Sequence, residues 1–361
     1  MTATVMITTG GTGGHVFPGL AVADALRERG ANVFWLGTRD GMEATLVPKH
    51  GVDFESVSFR GVRGKGVRTL VLGPFALVAA SLEARSVIKR RDPDVVLGLG
   101  GFASFPGALM AVATGRPLAI HDSNAVAGLA NRVLAHGADR ILLGFPNAMR
   151  GKHAKRTEWT GNPLRASMTR IAPPAQRFEG RTGPLRLLVV GGSLGAQGLN
   201  ERLPAAVARL SPAQRPAIVH QAGAKHVDAL KSAYRDAGVE AECVAFIDDM
   251  AERYAWADFA IARGGALTVS ELAAAGLGAL IVPLPGAIAD EQTANADLLV
   301  DAKAAYRFAQ DELTVDALAA LLGRLDRPTA LAMAVAARGV GKSDAAERVA
   351  EVCLGLAEKR P

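Results

Sequence analysis

The sequence predicts two doubly wound α/β domains, each built on a parallel sheet. Three observations lead there. Apolar runs of strand length alternate with helical stretches along nearly the whole chain. Those runs are continuously apolar rather than alternating, as in strands covered on both faces. And the strand, glycine loop and helix that open the chain, "VMITTGGTGGHVFPGLAVADAL" from Val5, recur half a chain later as "LRLLVVGGSLGAQGLNERL" from Leu185. Strand–helix alternation of this kind forms right-handed parallel βαβ units.

In the first half, strands are expected at Thr4–Thr8, Asn32–Leu36, Val95–Leu99, Pro117–His121 and Arg140–Leu143, with helices such as Leu20–Glu28 and Gly128–Ala135 between them. In the second half they are expected at Leu185–Val190, Ala217–His220, Cys243–Phe246, Phe259–Ala262 and Leu280–Val282. The stretch from Thr160 to Pro184 holds four prolines and three glycines without periodicity, and should contain the boundary. The expected domains are residues 1–162 and 163–342, with a final helix within 343–361 packing back on the first. Its apolar spacing runs through Ala346, Val349, Ala350, Val352, Cys353 and Leu356.

Composition narrows the class. A chain of 361 residues suits two domains, and 49% hydrophobic with 21% charged residues marks a folded one. The two cysteines, Cys243 and Cys353, form no disulfide framework or cysteine zinc site and fit a reducing compartment. No signal peptide is expected, because the chain enters a strand without a charged leading region. The most apolar stretch, Thr69–Leu82, is too short to span a bilayer and carries Gly73-Pro74. The net charge is a modest +6, so its distribution matters more than its total.

The doubled loop carries the chemistry. A helix N-terminus presents unpaired N–H groups and partial positive charge, and glycines before it let an anion approach the backbone. Gly10-Gly11-Thr12-Gly13-Gly14 and Gly191-Gly192-Ser193-Leu194-Gly195 both have this form, while neither matches a Walker motif or a full dinucleotide fingerprint. A ligand-free turn explains one such loop as well as an anion site does. Two of them in repeated domains favour two diphosphate-bearing ligands meeting in a cleft. "RGGALTVSELAAAG" from Arg263 adds Thr268, Ser270 and Glu271 at a helix start, where hydroxyls suit phosphate oxygens and Glu271 a ribose diol; capping is the alternative. "PLPGAIADEQTANA" adds Asp290, Gln292 and Asn295, which suit sugar hydroxyls.

These segments, with "WLGT", "RGVRGKG", "PDVVLGLGG", "GNPLR" and "FIDDM", resemble in order and spacing the bacterial peptidoglycan N-acetylglucosaminyltransferases, across essentially the whole chain. The resemblance implies the GT-B architecture, with two Rossmann-like domains facing across a cleft. It also implies transfer of N-acetylglucosamine, with inversion, from UDP-GlcNAc to the C4 hydroxyl of undecaprenyl-diphosphate-MurNAc-pentapeptide (lipid I), giving lipid II. No cofactor is expected. By the same resemblance, Thr12, Gly13, Gly14, Asn124, Arg165, Ser193, Ile247, Ala266, Leu267, Thr268, Val269, Ser270, Glu271 and Gln292 line the donor site. Ile247 would lie beside the uracil, Glu271 would hold the ribose and Gln292 the GlcNAc hydroxyls. This chain departs from the family in reading His121-Asp122-Ser123-Asn124 for His-Glu-Gln-Asn, and in placing Gly264 where serine is usual.

Removing the hydroxyl proton calls for a base. His15, at the mouth of the first loop and able to titrate near neutrality, and Asp122 are the two candidates. Arg165 and the Gly191–Gly195 loop are candidates to stabilise the leaving diphosphate. No metal is expected: Asp92–Asp94 reads as a turn before a strand, and Asp248-Asp249 as a helix start. Between Arg60 and Arg91 lie eight basic residues and one acidic residue, interleaved with the apolar Leu70–Leu82 stretch. With 5% aromatics and no binding motif, nucleic acid is not the expected partner. An anionic membrane surface is, placing the protein peripherally on the cytoplasmic side of the bacterial inner membrane. Two rivals are weighed. A UDP-sugar 2-epimerase would need a set of acidic catalytic residues, and a non-catalytic sugar-nucleotide binder would lose the first loop.

Overall fold

The computed structural model describes residues 2–59, 66–149, 153–192 and 195–359. Ser193, and residues 60–65 of the "RGVRGKG" segment, lie outside them. Two compact units result: Met1–Ala166 with Ser343–Pro361, and Ser167–Lys342.

Among the described residues, the first unit holds a seven-stranded sheet of β1 (Thr4–Thr8), β2 (Asn32–Thr38), β3 (Asp53–Val57), β4 (Val95–Gly98), β5 (Leu118–Asp122), β6 (Arg140–Leu143) and β7 (Thr157–Trp159). Their order is β3-β2-β1-β4-β5-β6-β7, and every pairing is parallel. Five helices matter here: α1 (Gly13–Glu28), α2 (Glu43–Lys49), α3 (Gly66–Arg91), α4 (Ser104–Ala113) and α5 (Leu129–Leu134). On one face Val5, Ile7 and Leu97 pack with Val16 and Leu20 of α1 and with Val349, Cys353 and Leu356 of the terminal helix Ala345–Ala357. On the other, Met6, Val96 and Ile120 pack with Ala84 and Ile88 of α3 and with Ala108 and Ala111 of α4. The terminal helix is also tied to β7 by Arg348, whose guanidinium bonds both carboxylate oxygens of Glu158 at 2.6 and 3.0 Å and lowers the pKa of that acid.

The second unit repeats the plan among its described residues with β8 (Arg186–Val190), β9 (Ala217–Gln221), β10 (Glu242–Val244), β11 (Phe259–Ala262), β12 (Gly278–Ile281) and β13 (Ala305–Arg307). The order is β10-β9-β8-β11-β12-β13, again all parallel. In both sheets the order turns back beside the first strand. Ligands bind at such switch points, outside the carboxyl ends of the strands.

The segment before β8 is pinned by arginines. Arg177 donates to the carbonyls of Ala172, Tyr254, Ala275 and Gly276, and burial pushes its pKa down to about 10. Arg181 and Arg327 converge on Asp258, which is fully buried and also accepts from the Arg186 amide at 3.1 Å.

The expected basic patch is corrected at the end of α3. Arg90 pairs with Glu55 at 2.8 Å, and Arg91 pairs with Asp53 at 2.9 Å while lying 4.7 Å over the Phe34 ring. These cations bind the helix to β3 instead of forming an uncommitted surface charge. Phe75, Val78 and Leu82, spaced along one stripe of α3, are by contrast 73%, 60% and 60% exposed. Among the described residues no helix is long and apolar enough to cross a membrane.

Removing one member of a buried ion cluster leaves an uncompensated charge, which costs about 3–5 kcal/mol. Asp258→Ala should therefore lower stability by that amount, read from the urea midpoint. A loss of a few tenths would mean that Arg181 and Arg327 find water instead.

Candidate functional site

In the first unit, β1 ends at Thr8 and the chain turns through Gly10 and Gly11, the latter at φ +101°. Helix α1 then starts at Gly13, with Thr12 in extended conformation as its N-cap. Sequence periodicity places this start later, at Leu20. Glycines are poor helix formers, but the first turn carries amides that have no intrahelical acceptor and needs little from its side chains. Gly13 and Gly14 thus occupy the amide end of α1, and the His15 amide donates to the Thr12 carbonyl at 3.0 Å.

Side chains brace this loop from below. Thr9 Oγ1 donates to the Gly100 carbonyl at 3.0 Å, and Trp35 Nε1 donates to the Thr9 carbonyl at 3.0 Å. Glu43, the first residue of α2, is fully buried and accepts from the Gly11 amide at 3.1 Å. Nothing in the sequence singles out Glu43, and Trp35 enters there only as the first residue of the "WLGT" segment.

A second glycine segment, Gly98 to Gly101, follows β4 on the other side of the switch point. Gly100 and Gly101 have φ of +79° and +74°, and His15 packs on them: a Cβ on either would lie within 3.4 Å of the imidazole. The ring is half-buried, and Nδ1 has no hydrogen-bond partner. Burial lowers the pKa of His15, while the charge of Asp122 and the Leu99 backbone act in the opposite direction. The imidazole is therefore neutral near pH 7.

Asp122 ends β5. Its carboxylate accepts from the amides of Gly128 and Asn124 at 3.0 and 3.2 Å and from Asn131 Nδ2 at 3.0 Å. It thereby closes the loop that carries half-buried Asn124. Asn131, which sequence reasoning misses, also donates to the His121 carbonyl at 3.0 Å. His121 is fully buried, with Nε2 on the Gly161 carbonyl at 3.0 Å. Arg165 is exposed, its guanidinium 5.3 Å over the ring of Phe17 in α1. The first unit thus gathers Thr12, Gly13, Gly14, His15 and Arg165 around one helix end.

In the second unit the loop after β8 is described at Gly191, Gly192 and Gly195; Ser193, expected on the donor diphosphate, lies outside the described residues. Gly195 has φ +76°, and a Cβ there would lie 2.0 Å from the Ala222 carbonyl oxygen. Backbone contact, rather than a carboxylate, sets this loop. Across the switch point, β11 leads to the helix Ala266–Ala275. Ala266, Leu267 and Thr268 are half-buried, whereas Val269 and Ser270 are buried, and the Val269 amide donates to the Gly265 carbonyl at 3.0 Å. Glu271 is half-buried in the second turn, past the amide end, and accepts from Tyr254 Oη at 3.2 Å. That position does not cap the helix. Tyr254 carries no signal in the sequence.

Ile247 is 7% exposed, between β10 and a helix N-capped by Asp249, which accepts from the Glu252 amide at 3.1 Å. Gln292, half-buried, accepts from the Leu284 amide at 2.8 Å, which leaves its NH2 group to a ligand. Asn295 is fully buried and donates to the Gly264 carbonyl at 3.0 Å, so it holds the frame and does not reach a sugar. Gly264 itself is required: a Cβ there would lie 2.3 Å from the Gln292 carbonyl oxygen. Asp92 and Asp94 serve the fold, pairing with Arg116 and accepting from the Thr4 amide at 2.8 Å respectively.

Two parallel-sheet units, each with a glycine loop at its switch point, define the GT-B class of glycosyltransferase fold. The chain belongs to glycosyltransferase family 28, whose N-terminal domain matches residues 5–143 and whose C-terminal domain matches residues 186–349. Over 360 residues it is 53% identical to the UDP-N-acetylglucosamine–N-acetylmuramyl-(pentapeptide) pyrophosphoryl-undecaprenol N-acetylglucosamine transferase of Cupriavidus metallidurans, covering 99% of this chain and 100% of that one. The enzyme of the same name from Aromatoleum aromaticum is 52% identical, with 99% of each chain covered. The crystal structure of Acinetobacter baumannii MurG matches with a TM-score of 0.84 at 38% identity, over 98% of this chain and 99% of that one. A UDP-N-acetylglucosamine 2-epimerase also matches over 100% of this chain and 99% of its own, with a TM-score of 0.66, but at 15% identity it shares the fold alone.

Overpacking a tight backbone contact costs about 1–3 kcal/mol. Gly264→Ser should therefore destabilise the protein by that range and shift the helix Glu291–Asp301, read as a fall in melting temperature. An unchanged melting temperature would show that the helix moves aside freely.

Proposed function

We propose that the chain moves N-acetylglucosamine from UDP-GlcNAc to the C4 hydroxyl of undecaprenyl-diphosphate-MurNAc-pentapeptide, with inversion, to give lipid II. The observation that carries this reading is the 53% and 52% identity, over 99% of the chain, to enzymes of that name. The second unit takes the donor. The Gly191–Gly195 loop and Ser193 hold the UDP diphosphate, Ile247 borders the uracil, Glu271 takes the ribose while Tyr254 orients it, and the Gln292 amide reaches the GlcNAc hydroxyls. The amides of Gly13 and Gly14 face the reacting sugars and the acceptor diphosphate.

The acceptor hydroxyl attacks the anomeric carbon as UDP leaves. Arg165 and the loop amides offset the negative charge that grows on the diphosphate. His15 takes the proton, because it is neutral near pH 7 and sits on the first loop. The bonds of Asp122 are directed into its own loop, so it acts on His15 through charge and favours the imidazolium as it forms.

General-base catalysis contributes about 100-fold or more. His15→Ala should thus cut turnover about 100-fold and leave UDP binding by calorimetry unchanged, whereas Glu271→Ala should weaken UDP binding. Since the pKa of His15 is lowered, the imidazole stays neutral below pH 6.5; kcat/KM should hold at that pH and fall only on further acidification. An acid limb above pH 6.5, or turnover that barely moves in His15→Ala, would assign the base elsewhere.

The lipid-linked acceptor places the enzyme peripherally on the cytoplasmic side of the inner membrane, and we assign the contact to the exposed stripe Phe75, Val78 and Leu82 of α3, with nearby basic residues meeting anionic headgroups. Because Arg90 and Arg91 are engaged with β3, charge reversal there would also break those pairs, and Phe75→Ser with Leu82→Ser is the cleaner variant. It should lose sedimentation with anionic vesicles and activity on vesicle-embedded acceptor, while keeping activity on a soluble short-chain acceptor. Equal loss on both acceptors would exclude a docking role.

A further inference from the structure

We propose that Glu43 is a positioning residue that sets the first glycine loop for reaction; this rests on the reading of that loop as the reacting-sugar and acceptor side of a transferase. The carboxylate is completely buried at the start of α2. It does not cap its own helix. It reaches back instead, accepting with Oε1 from the Thr38 amide at 3.0 Å and the Thr38 hydroxyl at 2.7 Å, and with Oε2 from the Gly11 amide at 3.1 Å.

Three glycines make room for it. A Cβ on Gly10 would lie 2.0 Å from Oε1, one on Gly41 2.2 Å from the same oxygen, and one on Gly37 2.7 Å from the Glu43 Cγ. Two of these glycines belong to the segment that carries Glu43 and one to the loop it serves, so the cradle joins β2, α2 and the turn after β1. Its hydrogen bond holds Gly11 at φ +101°, a conformation that orients the following Thr12 cap and, through it, the amides of Gly13 and Gly14. Every partner of the carboxylate donates a proton. Glutamine would turn an NH2 group toward one of two backbone N–H donors, so the isosteric change breaks the bond to Thr38 or to Gly11.

The test uses the full chain carrying Glu43→Gln, beside Ile88→Ala, a core change in α3 that touches neither loop nor carboxylate and sets the effect of lost stability alone. Hydrogen–deuterium exchange of the peptide spanning residues 9–16 should quicken about tenfold in Glu43→Gln and not in Ile88→Ala. On a soluble short-chain acceptor, kcat should fall about tenfold, with UDP affinity by calorimetry unchanged, because the residues assigned to the uracil and ribose and the Gly191–Gly195 loop belong to the other unit and Glu43 touches neither Asn124 nor Arg165. Gly10→Ala, which forces the same carboxylate out while leaving its charge in place, should reproduce both effects and stands in if Glu43→Gln does not fold. Unaltered exchange in residues 9–16 in both Glu43→Gln and Gly10→Ala, or a loss of kcat in both no greater than that of Ile88→Ala, overturns the proposal. A wild-type chain that transfers no sugar would overturn the function instead, and the exchange measurement would still decide the role of Glu43.

Discussion

A parallel sheet that winds outward in both directions from its first strand cannot cover the carboxyl end of that strand. In the first unit α1 leaves β1 for one face, while α4 leaves β4 for the other, so the two connections part and the backbone between them stays open. Everything functional here depends on that divergence. It places the Gly10–Gly14 loop opposite Gly98–Gly101, and the Gly191–Gly195 loop opposite the start of the Ala266–Ala275 helix. Glycine is needed at these crossings because neighbouring segments touch through their backbones. A Cβ on Gly101 would lie 2.6 Å from the Gly10 carbonyl oxygen, closer than real side chains approach.

The same topology is stiffened by different chemistry in the two units. The first loop rests on side chains: the indole of Trp35 and the carboxylate of Glu43 arrive from later elements, and the hydroxyl of Thr9, at the start of the turn, reaches across to the Gly100 carbonyl. The second rests on close backbone approach at Gly195 and on Asn200, which donates to the Ala222 carbonyl at 3.1 Å. A loop held by side chains can be retuned by one substitution at its support. A loop held by van der Waals contact tolerates glycine and little else.

Much of this is legible in the sequence, for a physical reason. The central strands of both sheets are buried on both faces, so they read as unbroken apolar runs, and β1, β2, β4, β5, β6, β8, β9, β11 and β12 are visible as such. β3, β7 and β13 lie at sheet edges and read as "DFESV", "TEW" and "AYR", with polar residues that hide the pattern. β10, at the edge of the second sheet, is expected one to two residues late for the same reason. The glycine loops are also legible, because their chemistry is local. Glu43, Asn131 and Tyr254 are not. Each acts on a residue that only the fold brings near, and in sequence Glu43 is simply an acid at a helix start, where the dipole alone would favour it.

The departure at Asp122 shows how a shorter acid can serve here. A carboxylate that had to reach a substrate would suffer from losing a methylene. Asp122 reaches only inward, to amides two and six residues along its own chain and to Asn131, and over that distance the shorter side chain suffices. What remains to it beyond the loop is charge, felt by His15 without a bond between them. Burial draws the imidazole toward the neutral form that can accept a proton, and the aspartate steadies the cation that acceptance creates. In the proposed mechanism the histidine would therefore handle the proton, while the aspartate shapes the loop and the field around it.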